Sequence, residues 1–331
     1  MQKILIITDA WEPQVNGVVR TYQNTIKELH RLGHEVQVIH PYCDGFKRVK
    51  LPAYPEIELV KNPWIVKQKI LDALLDGWKI HIATEGTLGI YARFILRKDE
   101  FTTCYHTQFP EFIESRTKIP AWVFYPFYRW FHNSARSMMV PTKPMAQFLQ
   151  QKGFTSVSIW TRGVDPELFN PKRKTKTEEQ PYILCVSRVS HEKGLDDFCK
   201  LNYPRKVLVG DGPYLETLKK RYPTVEFPGK KEGIELAEWY ANAEAFVFPS
   251  KTDTFGIVIL ESLASGTPLA SYWEPGPIET IELMYNGMMS DNLEHAVKVA
   301  TELVKRDDVV ESSKKWTWEG ATKAFLENIS K

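Results

Sequence analysis

Cysteine is scarce in this chain. It has four in 331 residues (Cys43, Cys104, Cys185 and Cys199), with no CxxC pair and no Cys/His ligand spacing. That excludes a disulfide scaffold, argues against structural zinc, and makes a reduced cytosolic compartment the expected setting. Long hydrophobic runs are also missing. None approaches the roughly 20 apolar residues of a membrane span. The first apolar run, residues 4–7, is too short for a signal sequence and stops at Thr8-Asp9. Internal repeats and low-complexity tracts are absent. With 43% hydrophobic and 25% charged residues, 21 Pro and 18 Gly, disorder, collagen and coiled coil are excluded.

What remains is a soluble α/β composition whose length suggests two domains. The net charge of +2 is a difference between halves: residues 1–170 carry +5 and residues 171–331 carry −3. The first half therefore suits an anionic partner. Nothing in the charge pattern calls for nucleic acid.

Short β-branched runs alternate with helical stretches throughout, the pattern of parallel α/β folds. Strands are expected at 3–8, 35–40, 79–83, 101–106, 137–142 and 157–161. An amphipathic helix over 18–32 is stopped by Gly33. Residues 171–181 have no apolar residue outside their prolines and read as a solvated linker. The alternation then restarts, with strands expected at 182–187, 206–210, 225–227, 245–249 and 268–272. The expected organisation is two Rossmann-like, doubly wound domains facing across a cleft. They would cover 1–170 and 182–312, with a closing helix in 313–331 able to pack back on the first domain.

Open parallel sheets bind ligands beyond the carboxyl ends of their strands, so residues just after strands carry the functional signal. The loop after the first strand is not GxGxxG, which argues against a dehydrogenase-type site. Its Asn16-Gly17 opens a helix and reads equally as a plain turn or as a backbone approach to an anion or sugar hydroxyl. After the first strand of the second half, Arg188 and Lys193 could converge on one diphosphate or form an ordinary surface pair. Gly210-Asp211-Gly212-Pro213 is a tight strand-to-helix turn. In 249–268, Asp253 lies in a turn where its carboxylate can meet hydroxyls. Thr254, Phe255, Gly256 and Ile257 bring a helix N-terminus to the same point, and Glu261 is a lone acid on an apolar helix. Such an acid needs either a protein partner or a ligand. His106 closes the strand FTTCYH.

Together these stretches resemble glycosyltransferase family 4, retaining enzymes of the GT-B fold that use nucleotide-diphosphate sugars. The resemblance runs through PQVNGVVRT (13–21), HIATEGTLG (81–89), YHTQFPE (105–111), RGVDPELF (162–169), VSRVSHEKG (186–194), VGDGP (209–213) and FPSKTDTFGIVILESLASGTP (248–268). The first and fourth look nearest to sulfoquinovosyl- and mannosyltransferase-like bacterial members. The resemblance implies a hexosyltransferase in which Arg188 and Lys193 hold the donor diphosphate. It further implies that Glu261 bonds the ribose and that Asp253, with the Phe255 and Gly256 amides, holds the sugar hydroxyls. Gly17 would approach the donor and His106 would lie against the transferred sugar. No cofactor and no metal are implied. Two departures stand out: Asp253 occurs where the family usually has Glu, and Asn16-Gly17 where many members have two glycines.

Residues 120–136 place seven aromatics between Trp122 and Phe131 among several cations. Trp122, Tyr125, Arg129 and Trp130 are candidates for contact with a lipid or glycan acceptor, or with an anionic membrane surface reached peripherally from the cytoplasm. The alternative is a core helix. Rival functions are a sugar-nucleotide epimerase or hydrolase of the same fold, and a non-catalytic sugar-nucleotide-binding protein.

Overall fold

The structure, a computed structural model, describes residues 1–14, 16–51, 54–175 and 180–331, with the backbone alone at 51, 54–57, 112, 115 and 116. The chain forms two compact units. One is Met1–Arg162 with Trp318–Lys331, the other Gly163–Thr317.

The first unit runs β1 (Lys3–Ile7), α1 (Gly17–Arg31), β2 (Glu35–Ile39), an antiparallel hairpin β3 (Arg48–Leu51) and β4 (Tyr54–Val60), then α2 (Lys67–Leu75) and β5 (Lys79–Ile82). It continues through α3 (Thr87–Ile95), β6 (Phe101–Cys104), α4 (Phe109–Thr117), α5 (Tyr125–His132), β7 (Ser137–Val140), α6 (Lys143–Gln151) and β8 (Val157–Ile159). Its six-stranded sheet is parallel, in the order β2-β1-β5-β6-β7-β8. β1 shows why it is central. Ile4 and Ile6 enter one core, Leu5 and Ile7 the opposite one, so both faces are covered and the strand is uniformly apolar.

The second unit runs β9 (Ile183–Val186), α7 (Leu195–Lys200), β10 (Lys206–Val209), α8 (Leu215–Arg221), β11 (Glu226–Gly229), α9 (Gly233–Asn242) and β12 (Ala245–Phe248). It continues through α10 (Ile257–Ala264), β13 (Leu269–Ser271), α11 (Pro275–Thr280), β14 (Gly287–Met289), α12 (Leu293–Leu303) and α13 (Arg306–Ser313). Its parallel sheet has the order β11-β10-β9-β12-β13-β14, that of a doubly wound nucleotide-binding fold. Again the strands alternate: Ile183 and Cys185 face one core, Leu184 and Val186 the other.

The last helix, α14 (Trp318–Ser330), belongs to the first unit. Its Phe325 and Ile329 join Ile4, Ile6, Tyr22 and Trp160 in one core. The division between units differs from the expected break at 170/171. Residues 163–170 belong to the second unit because Val164 and Phe169 are buried in its core. Of the linker expected at 171–181, residues 176–179 lie outside the described residues. Pro171–Arg173 forms a short 3-10 turn within the second unit. The hairpin β3–β4 and the edge strand β14 were not foreseen. Among the described residues no helix is long and apolar enough to cross a membrane.

Tight packing of α3 on its own sheet gives a stability prediction. A Cβ built on Gly89 would lie 1.9 Å from the Thr84 carbonyl oxygen. Gly89→Ala improves helix propensity, yet should destabilise the protein by about 1–3 kcal/mol through overpacking against backbone. An unchanged or higher Tm in scanning calorimetry would refute the close approach.

Candidate active site

In the second unit the strand order reverses between β9 and β12, so the loops leaving their carboxyl ends part in opposite directions with a crevice between them. These two loops touch. Gly194 has φ +64°, and a Cβ there would stand 2.6 Å from the Pro249 carbonyl oxygen. Across the same point Lys193 Nζ meets Asp253 Oδ1 at 2.6 Å, both side chains about three-quarters or more buried. Arg188 Nη2 meets Glu192 Oε1 at 2.7 Å, and the Ser190 hydroxyl donates to the same oxygen at 2.7 Å. Of the two cations singled out in the sequence, Arg188 is thus held by an acid of its own loop and Lys193 by an acid of the facing one.

The glycine turn serves this arrangement from beneath. A Cβ on Gly210 would lie 1.9 Å from the Ser187 carbonyl oxygen, and one on Gly212 2.4 Å from that of Val189. The Val189 amide donates to the Asp211 carbonyl at 2.8 Å, and the Tyr214 amide to the Val189 carbonyl at 3.0 Å. Gly210 and Gly212 therefore admit the backbone on either side of Arg188.

On the other side of the reversal, Gly256 caps α10 with φ +85°, where a Cβ would crowd the Phe248 ring at 2.8 Å. Thr254 and Phe255 are buried, and Phe255 stacks edge-on against Trp316 at 5.9 Å, so its side chain belongs to the core. α10 begins at Ile257; of its first-turn amides, that of Ile259 donates to the carbonyl of the capping Gly256 at 3.0 Å, and those before it precede the helical hydrogen-bond ladder. Glu261 lies in that helix, 4% exposed, and accepts a hydrogen bond from the Tyr240 hydroxyl at 3.0 Å. Glu274, which precedes α11 just beyond β13, is an acid at the same sheet edge that the sequence motifs did not flag. Burial raises its carboxyl to about 7, with Lys251 opposing.

In the first unit the reversal falls between β1 and β5. Asp9, at the end of β1, accepts from the Leu88 amide (2.9 Å), the Gly89 amide (3.2 Å) and the Thr84 hydroxyl (3.1 Å), which ties it to the loop after β5 and the start of α3. Burial raises its carboxyl, against the pull of these donors. Asn16 caps α1: its Oδ1 accepts from the Val18 and Val19 amides, both at 3.0 Å. That accounts for Asn in place of a second glycine. A Cβ on Gly17 would meet no atom within 4 Å.

His106 stands just beyond β6, with both ring nitrogens engaged by protein. Nε2 lies 3.0 Å from the Tyr22 hydroxyl, and Nδ1 is 3.3 Å from Arg162 Nη2. Tyr22 continues to His81 Nε2 at 2.7 Å, and His81 Nδ1 to the Thr102 hydroxyl at 2.8 Å. Burial holds His106 well below the ordinary imidazole range, helped by Arg162, His81 and His132. Tyr22, His81 and Arg162 were missed as site residues, although the last two lie in stretches that carried the family resemblance.

The aromatic segment divides. Tyr125 is buried, with its hydroxyl bonded to Glu111, which removes it from the expected surface set; its ring packs in the core with Phe154. Tyr128 and Phe131 are buried too. Arg129 donates to the Lys152 carbonyl at 3.0 Å. Trp122 is 71% exposed, and Phe127 and Trp130 also reach the surface. Phe94 of α3, 70% exposed, lies 5.1 Å from Trp130, whose ring is covered by the Arg93 guanidinium at 4.9 Å.

Comparison with known sequences matches residues 15–168 to the family model "Glycosyltransferase Family 4" and residues 167–321 to "Glycosyl transferases group 1". The chain is 29% identical to a GDP-mannose-dependent alpha-mannosyltransferase of Mycobacterium tuberculosis, over 87% of this chain and 83% of that one. It is 29% identical to a sulfoquinovosyl transferase of Arabidopsis thaliana (78% and 56% covered). It is 26% identical to an alpha-monoglucosyldiacylglycerol synthase of Streptococcus pneumoniae (82% and 71% covered). Among solved structures, sucrose-phosphate synthase from Thermosynechococcus elongatus superposes with TM-score 0.77 at 17% identity, covering 99% of this chain and 98% of that one. HepE of Anabaena, in complex with UDP, gives 0.70 at 16%, covering 99% and 100%. Two adjoining family matches, two parallel sheets that each reverse their strand order, and a GT-B fold lead to one assignment: the chain belongs to the family 4 glycosyltransferases.

Proposed function

We infer that this enzyme moves a hexose, with retention at the anomeric carbon, from a UDP- or GDP-linked sugar to a hydroxyl of a membrane lipid or envelope glycan. The carrying observation is the loop pair at the β9/β12 reversal, where Lys193 and Asp253 meet at 2.6 Å and Arg188 stands on the same loop as Lys193. Departure of a nucleoside diphosphate leaves negative charge on phosphate oxygens. Arg188, Lys193 and the first-turn amides of α10 supply positive charge there without a metal. The C1–O bond to the diphosphate breaks, the acceptor oxygen bonds C1 on the same face, and the acceptor proton passes to the departing diphosphate. The mannosyltransferase relative, named as GDP-mannose-dependent, and the fold neighbour bound to UDP support a nucleotide-diphosphate donor. The relative named for a glucosyldiacylglycerol product supports a lipid acceptor.

The exposed aromatics on the first unit add where such an acceptor would be met. Phe94, Trp122, Phe127 and Trp130 are exposed, as are Arg97 and Lys98 just beyond α3 and Lys118 at the end of α4. Aromatic rings seat at the headgroup boundary and cations favour anionic lipid. This face docks the enzyme peripherally on an anionic bilayer.

Lys193→Ala should cut kcat by about 10²–10³. The lost ion pair is partly exposed and contributes no more than about 1 kcal/mol, so Tm should fall by only a few degrees. Near-normal turnover, followed as acceptor-dependent release of nucleotide from UDP- and GDP-hexoses, would remove the diphosphate assignment. Turnover in excess EDTA should match that in buffer within twofold. Activity that collapses and returns with Mg²⁺ would assign the charge compensation to a metal. In flotation with phosphatidylglycerol-rich vesicles the protein should rise with the lipid, and Trp122→Ala/Trp130→Ala should leave most of it behind. A wild-type protein that stays at the bottom rules out the docking face.

A further inference from the structure

Arg162 is 3% exposed, and among the described residues no carboxylate pairs with it. Its Nη1 donates to the carbonyls of Trp160 (2.5 Å) and Thr161 (3.0 Å), and its guanidinium carbon lies 4.4 Å from the centre of the Trp160 ring. Nη2 reaches His106 Nδ1 at 3.3 Å and Cys104 Sγ at 4.0 Å. A guanidinium has only donors. His106 Nδ1 must therefore present its lone pair, and a neutral imidazole with its lone pair there carries its proton on Nε2.

The direction then propagates. His106 Nε2–H donates to the Tyr22 oxygen; the single Tyr22 proton goes to His81 Nε2; and His81 is left with its proton on Nδ1, donating to Thr102 Oγ1. Without Arg162 the same heavy atoms support the opposite order. Thr102 would donate to His81 Nδ1, His81 to Tyr22 and Tyr22 to His106 Nε2, and the His106 proton would move to Nδ1. The donor-only group at one end selects between the two.

We propose that Arg162 is a positioning residue that holds His106 as the neutral Nε2–H tautomer by setting the direction of the Arg162–His106–Tyr22–His81–Thr102 chain. Both rings are neutral and so have one proton each to place: burial, with Arg162 adding, lowers His81 to about 3 and His106 in the same direction. A protonated His106 would face the guanidinium as a second cation. The functional part rests on the reading that His106 lies against the transferred sugar. There an imidazolium would oppose the positive charge developing on the ring, and a neutral imidazole does not.

The test is ¹⁵N NMR of the full chain labelled at its histidine rings, with signals assigned through His106→Asn and His81→Asn. Wild type should show His106 protonated on Nε2 and His81 on Nδ1. In Arg162→Met, which keeps length but removes every donor, the His106 proton should shift to Nδ1 or average between the two. The same variant should lose about tenfold in kcat with donor KM within twofold. Arg162→Lys, also donor-only, should keep the Nε2–H signal and recover most of kcat. A wild-type His106 protonated on Nδ1 overturns the proposal without any variant. So does an unchanged tautomer in Arg162→Met, or a changed tautomer with unchanged kcat. Failure of the transferase reading would appear separately, as absence of turnover in wild type with every donor, while the NMR still decides the proton order.

Discussion

In each sheet the two loops that part at the strand-order reversal are tied together by a carboxylate. Asp9 reaches from the end of β1 to two amides and a hydroxyl beyond β5; Asp253 reaches from beyond β12 to Lys193 beyond β9. A reversal point is where a doubly wound sheet lacks a crossover covering its edge, so it is open to a ligand and poorly braced for the same reason. The carboxylates supply the bracing. Asp9 is buried and fully engaged, as suits a fixed frame, whereas Asp253 and Lys193 remain partly exposed, which leaves them free to exchange partners in the reaction proposed above.

The frame also requires close backbone contact, and glycine supplies it. Gly194, Gly210 and Gly212 interleave the loops that carry Arg188 and Lys193, with carbonyl oxygens standing where a Cβ would be. Conformational freedom alone would not demand glycine so sharply; space does. The cations are thus presented from a rigid base, which matters because electrostatic stabilisation depends on donors already aimed before charge develops.

Much of this was legible in the sequence. Uniformly apolar strands such as Ile183–Val186 mark central parallel strands whatever their partners, and Asn16 and Gly33 punctuate the first helix. The hairpin at 48–60 escaped because, although RVKL and EIEL alternate, it forms a separate two-stranded sheet outside the strand-helix repeat, and the strand at Gly287–Met289 because it is a three-residue edge element with no β-branched residue. Within the site, a motif shows which residues lie near the reversal but not which neighbour fills the space. The tight turn at Gly210 and Gly212 is legible as a turn, but not that the Ser187 and Val189 carbonyls fill the space where their Cβ atoms would stand. Tyr125 was placed at the surface with its neighbours because the aromatic run has no internal contrast; helical geometry alone turns Tyr125, Tyr128 and Phe131 inward and Phe127 and Trp130 outward. Tyr22 and Arg162 were invisible as partners of His106, because a chain of hydrogen bonds across 84 and 56 residues of sequence leaves no local spacing to read.

The departure at Asp253 follows from the same geometry. Lys193 needs a holder in the absence of donor, and a carboxylate at 2.6 Å is that holder. A pair with this exposure contributes no more than about 1 kcal/mol. A donor aimed at developing charge lowers a barrier by roughly 3–4 kcal/mol. In the proposed reaction, exchange of the carboxylate for a diphosphate would therefore be favourable even though it breaks a short ion pair. A longer acid would reach further into the crevice. The shorter one holds Lys193 at 2.6 Å with both side chains still partly exposed, so the cation keeps its charge at the edge of the crevice where the proposed reaction would use it.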